Sequence, residues 1–290
     1  MEKEQDEILQ KDRSVRACIS SGYRLYMSNF RRIFRYSWVS AIVYAIVNSF
    51  CGTLMITHPE LTIVSLLILI IVNALFISNG FAVLKQHQDT GSIGWPPRWF
   101  SLNMHIFIRT LKAWCCTLLI GIVSSSILVA TGIAAANYLS NYTAIGCFSL
   151  VALLIFIFTL PLAYTNTRYV LNEIGYWRNL KERYGIGMRR WGYIFLITFI
   201  TTLIGSVCAV ITSFPAIILS IAANEANAGF LAGDPYNMPS YIGWLAATVF
   251  LIIGFIQAYI ILSFLFPIYY MYGAIDTHEN EKKNFNKSAI

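Results

Sequence analysis

The sequence predicts an all-α integral membrane protein: six transmembrane helices forming three helical hairpins, each preceded by a basic amphipathic interfacial segment. Three observations carry this. Of 290 residues, 57% are hydrophobic and only 12% charged, about half the charge of a soluble domain. The apolar residues fall into unbroken runs near 36–57, 61–84, 111–135, 144–167, 192–222 and 241–272. Each supplies the ~20 residues that cross ~30 Å of hydrocarbon. All 21 lysines and arginines lie on one side of these runs. Continuous apolarity argues against a β-barrel, whose strands alternate polar and apolar positions.

Taken in order, residues 1–20 form a polar N-terminal segment of mixed charge. It has no apolar core and no small-residue cleavage site, so the first span is expected to act as the signal anchor. Between it and that span, Tyr23, Met27, Phe30, Phe34 and Trp38 recur at helical spacing and make one apolar stripe. Such a helix suits the headgroup region. The connection at 58–60 is a short turn, 137–143 is also short, and 224–240 is a Gly-, Pro- and Asn-rich loop. These three connections hold no Lys or Arg but contain Glu60, Glu225 and Asp234. The basic residues occupy the other side, which by the positive-inside rule is cytoplasmic. Both termini are therefore expected in the cytoplasm, with the chain multi-pass in a bacterial inner membrane. A polar tail, 277–290, completes one six-helix domain over 1–290.

The hairpins carry an internal echo. Residues 23–43 align without gaps on 184–204, pairing Tyr23 with Tyr184, Met27 with Met188, Phe30 with Trp191, and Ile33-Phe34 with Ile194-Phe195. A weaker match sets 24–35 on 98–109, pairing Arg24, Asn29 and Arg35 with Arg98, Asn103 and Arg109. Convergent composition at membrane entry points is the competing reading of both.

Pro161 in the fourth span, then Val170, Glu173, Leu180 and Trp191, and finally "FPIYYMYGAID" at 266–276, make up a degenerate pattern. It resembles the six-span membrane domain associated with bacterial glycerophosphodiester phosphodiesterases and its uncharacterised bacterial relatives. The chain departs from that pattern where Lys181-Glu182-Arg183 follow Asn179-Leu180. The resemblance implies a six-helix fold and a loose link to membrane or lipid homeostasis. It implies no catalytic residues, and no phosphodiesterase domain is expected within these residues.

The arginines Arg31, Arg32, Arg35, Arg189 and Arg190 are candidates for lipid headgroup contact or for setting topology alone. Inside the apolar cores the polar candidates are neutral. By span position, Asn48 and Asn73 lie about 14 and 18 Å below the acidic surface, and Asn79 and Gln257 about 27 and 24 Å. Two tiers of interhelical amide bonds, or a polar pocket, are the readings. No Lys, Arg, Asp, Glu or His sits in these cores, which argues against a proton- or ion-coupled pump. The four histidines and six cysteines show no metal-ligand spacing, so no metal, cofactor or catalytic residue is expected. Small-xxx-small pairs at Gly121/Ser125, Gly132/Ala136 and Gly205/Ala209 suit close packing. Pro161, Pro215 and Pro267 are candidate kinks.

These features favour a non-enzymatic membrane protein whose basic face meets the bilayer, through anionic lipid headgroups or a membrane partner, including a second copy. A transporter or channel subunit for a small neutral or lipid-like solute is the alternative, and a membrane enzyme has least support. Nucleic acid is disfavoured, because the basic residues stand beside aromatic stripes suited to a bilayer interface. The topology is directly testable in a cysteine-free background. Cysteines introduced at Asn141 and Phe230 should react with an impermeant thiol reagent from outside, and one at Ser92 should not; the reverse pattern would refute it.

Overall fold

A computed structural model describes residues 9, 11–57, 61–95, 103–138, 141–231 and 241–288. The turn expected at 58–60 and the residues Arg98 and Asp234 lie outside them. The elements are α1 (Val15–Ser28), α2 (Phe30–Thr57), α3 (Thr62–Thr90), α4 (Met104–Tyr138), α5 (Asn141–Thr159), α6 (Leu162–Leu171), α7 (Tyr176–Arg189), α8 (Trp191–Leu231) and α9 (Ile242–Ser288). Six helical stretches are long and apolar enough to cross a membrane: Phe30–Leu54, Thr62–Thr90, Met104–Ala134, Ile145–Leu171, Trp191–Ala226 and Ile242–Lys282. The chain is an all-α, multi-pass membrane protein. The polar tail expected from 277 instead continues α9 to Ser288. Of the three candidate kinks, Pro215 and Pro267 lie inside continuous helices, while Pro161 separates α5 from α6.

The first internal echo extends to the backbone. α1 and α7 are both 14 residues long, and under the Tyr23-on-Tyr184 alignment their first and last residues coincide. So do the starts of α2 and α8, at Phe30 and Trp191. The breaks are built alike: the N–H groups of Arg32 and Ile33 donate to Asn29 O, and those of Tyr193 and Ile194 donate to Arg190 O. Arg190 turns the chain at φ −103°, ψ 22°, outside the helical well. Buried positions also match, pairing Cys18 with Asn179, Leu25 with Ile186, Tyr26 with Gly187 and Ile33 with Ile194. The third copy is looser. α4 starts at Met104, level with Phe30, but its buried Ile106 is one residue out of register with Ile33.

The chain clusters into two compact units: residues 1–25, 104–199 and 267–290, and residues 26–103 and 200–266. In the second unit α9 is the shared partner, and missing side chains let other helices close on it. A Cβ at Gly254 would stand 3.3 Å from the Ala45 backbone of α2, one at Gly80 of α3 would strike Leu262, and one at Gly205 of α8 would strike Phe264. Side-chain bonds join the same helices, from Ser49 to Ala247 O and from Gln257 to Ser213 Oγ, at 2.8 and 2.7 Å. Tyr26, Phe30 and Phe34 pack against Tyr259, Phe255 and Phe266, so of the predicted stripe Phe30 and Phe34 meet α9, while Met27 stays exposed. Of the small-residue pairs read from sequence, Gly205 makes such a contact, Gly132 has only ordinary contact with Phe148, and Gly121 has open space.

The first unit holds the α4–α5 hairpin, α6, α7, the start of α8 and the end of α9. Its N-terminal residues are tied down. Arg13 lies 4.7 Å over the Tyr270 ring, Tyr193 donates to Arg13 O at 2.7 Å, and a Cβ at Gly273 would strike Leu9. Cys18 is buried beside the Tyr193 hydroxyl at 2.9 Å, and burial pushes its thiol pKa up.

Candidate functional site

Proline cannot donate a backbone hydrogen bond, so Pro161 leaves the Ile157 carbonyl, four residues back, without its helical partner. In hydrocarbon such a group must be satisfied by protein. Here the Trp191 indole N–H donates to Ile157 O at 3.1 Å, and the Tyr184 hydroxyl to Phe158 O at 2.6 Å. Trp191 is fixed in turn by stacking on Phe195 at 5.2 Å and by an edge contact with Phe156. Close approach needs Gly187, where a Cβ would sit 3.0 Å from that of Pro161. The amphipathic helix α7 is thereby clamped onto the break in span four.

A second set of bonds ties α6, α7 and α9 together at this end. Asp276 on α9 accepts from the Tyr164 hydroxyl at 2.6 Å and from Arg168 Nε at 3.2 Å, and Arg183 Nη1 stands 3.8 Å from it. Arg168 also donates to Asn179 Oδ1 at 2.8 Å, and Asn179 to Thr165 O at 2.8 Å. Asn172 donates to the Tyr272 hydroxyl. Side chains of Arg168, Arg183 and Asp276 are 9, 14 and 20% exposed. Two guanidiniums thus share one carboxylate in a mostly dry place, leaving a positive excess. By contrast, the Arg178–Glu182 pair on the outer side of α7 is solvated; the nearby guanidinium holds Glu182 below its ordinary pKa.

Two concavities flank this cluster. One is a groove of about 540 Å³, walled by Ile120 and Ser124 of α4, Val151, Leu154, Ile155 and Phe158 of α5, and Leu180, Lys181, Tyr184 and Gly185 of α7, a size typical of ligand sites. At about 1.5 Å per residue its wall from Val151 to Leu162 runs roughly 16 Å, one leaflet's share of the hydrocarbon. Only 6% and 11% of the apolar windows of spans three and four are buried inside the protein, which leaves most of their surface to the bilayer. Lys181 is its only charged wall residue, and burial pushes the Tyr184 phenol pKa up, keeping it a neutral donor. The other concavity, about 560 Å³, is lined by aromatic rings with a few charged groups and includes Arg109, Lys112, Glu173, Tyr176 and Trp177.

The predicted site residues are dispersed. Arg32 donates to Ile93 O at 2.6 Å, and Arg32 and Arg35 both lie over the Trp95 ring, so two of the three clustered arginines fasten the segment after α3. Arg31 and Arg189 are exposed, and Arg190 forms the α7–α8 turn. The amides are engaged one by one, and Gln257 makes an interhelical bond of the expected kind. Asn48 packs beside Gly254, Asn73 donates to Leu69 O on its own helix, Asn79 is buried, and Gln257 is taken by Ser213. Neither concavity described is lined by them. Among the described residues no group of three or more His, Cys, Asp or Glu is placed to hold a metal.

Sequence reasoning missed Arg168 and Asp276 as partners because each was counted only as a charge just beyond a span. Their shared level, at the same-side ends of spans four and six, was the available signal. No family model, curated protein or solved structure matches the chain.

Removing one partner of a buried ion pair costs more than replacing both. Asp276→Leu alone should destabilise the protein by about 3 kcal/mol. Arg168→Met with Asp276→Leu should cost clearly less than the sum of the singles, and additive losses in thermal unfolding would show that the pair is not coupled.

Proposed function

We propose that the protein is a non-enzymatic membrane protein that holds anionic phospholipid on its basic side, in a bacterial inner membrane with both termini cytoplasmic. The observation that carries this is the groove beside α7. Its apolar floor has the length of one leaflet, and its mouth carries Lys181 and the Tyr184 phenol. An acyl chain would lie along Val151, Leu154 and Phe158, with the headgroup phosphate at Lys181. A lysine at a bilayer surface contributes about 1 kcal/mol toward an anionic lipid. The buried positive excess at Arg168, Arg183 and Asp276 adds a field of the same sign. The link to lipid homeostasis implied by the six-span resemblance agrees with this reading. The solute-path alternative has less support, because the intramembrane amides are engaged separately.

The test uses the full chain in nanodiscs containing brominated phosphatidylglycerol. Lys181→Glu should weaken phosphatidylglycerol binding roughly five- to tenfold. Leu154→Trp, which fills the groove without changing charge, should weaken it as well. Unchanged binding in both variants would overturn the proposal.

A further inference from the structure

The aromatic-lined concavity of the same unit differs from the groove in holding both signs of charge. Arg109 is not one of its free groups. The guanidinium donates to the carbonyls of Tyr169, Asn172 and Ile174 and lies 4.3 Å over the Tyr169 ring. It therefore caps the end of α6 and fixes the turn into α7. That turn presents Glu173, which is exposed, as is Lys112 across the pocket on α4. Among the described residues no acid pairs with Lys112. Aromatic rings make the rest of the wall: Tyr169 and Tyr176 meet edge to face at 5.1 Å, and Tyr176 and Trp177 at 5.7 Å. Trp177 is 69% exposed, a position that suits the headgroup layer. The Tyr176 hydroxyl is buried and, beyond the adjacent Cys116 thiol, meets no hydrogen-bond partner among the described residues. It remains a donor, since burial pushes its pKa up to about 12.

We propose that this pocket binds the headgroup of a zwitterionic phospholipid, its phosphate at Lys112 and its ammonium between Glu173 and the Trp177 face. The charge pattern, with Arg109 and Lys112 on one side and Glu173 on the other, suits an occupant that carries both signs. A purely anionic headgroup would meet the Glu173 carboxylate, and a lone cation would meet Lys112. An ammonium over an indole and beside a carboxylate satisfies both groups. The pocket is lined by residues other than those of the groove, so either assignment can fail alone.

The experiment is native mass spectrometry of the purified full chain with equimolar phosphatidylethanolamine and phosphatidylglycerol. Glu173→Gln should lower the ethanolamine-to-glycerol binding ratio roughly fivefold. Lys112→Gln should reduce phosphatidylethanolamine binding, while Lys181→Glu, which tests the groove, should leave it intact. An unchanged ratio in both pocket variants would overturn the proposal. So would displacement of the lipid by soluble phosphoethanolamine at equal concentration, which would assign the pocket to a water-borne ligand.

Discussion

The Ile157 carbonyl is the point on which the basic-side unit depends. Pro161 takes its helical donor away at a depth where water does not replace it, and the indole of Trp191 supplies the bond at 3.1 Å. Tyr184 does the same for Phe158 O one residue on. Three consequences follow from this one constraint. Helix α7 must lie against span four. Gly187 faces Pro161, where a Cβ would stand 3.0 Å from the proline ring and push the two helices apart by a few tenths of an ångström. And the surface of α7 next to Tyr184 becomes the wall of a leaflet-deep groove with Lys181 on it. A helix break, an interfacial helix and a candidate lipid site are one arrangement.

The same logic orders the charges and the helix contacts. Asp276 is held by Tyr164 and Arg168, with Arg183 close by, so the carboxylate that enters the unit on α9 is neutralised where it is least hydrated. Arg109 directs its donors to the carbonyls that end α6. In the second unit, where no hydrophobic force separates helix from lipid, association relies on close packing. Glycines on α3 and α8, and Gly254 on α9 itself, allow it. Hydrogen bonds from Ser49 and Gln257 add to these contacts.

Much of the fold was legible because two sequence signals are strong in membranes. Apolar runs match the six spans, and segregation of every Lys and Arg to alternate connections is the pattern that a six-span count predicts. The Tyr23–Tyr184 echo paired the right segments but not their breaks: the stripe from Tyr23 to Trp38 reads as one continuous helix, and the matching turns at Asn29 and Arg190 are visible only in the backbone. The site was less legible. Composition shows that Arg31, Arg32 and Arg35 are interfacial, but not that Arg32 and Arg35 turn back over Trp95. Amide depth along a span does not reveal azimuth, so Asn73, level with Asn48, bonds its own helix instead. Arg168 and Asp276 are 108 residues apart, and neither has a local pattern that names the other.

The most direct test of this account is a mutant cycle on Pro161 and Trp191, read as unfolding free energy in detergent micelles. Trp191→Phe keeps an aromatic ring but removes the donor. In the natural background it should cost about 1–2 kcal/mol, the penalty of an unsatisfied buried carbonyl. In the Pro161→Ala background, where position 161 regains a backbone N–H that can bond Ile157 O, the cost should largely disappear. An equal loss in both backgrounds would contradict the claim that the proline's freed carbonyl is what holds α7 and the groove in place.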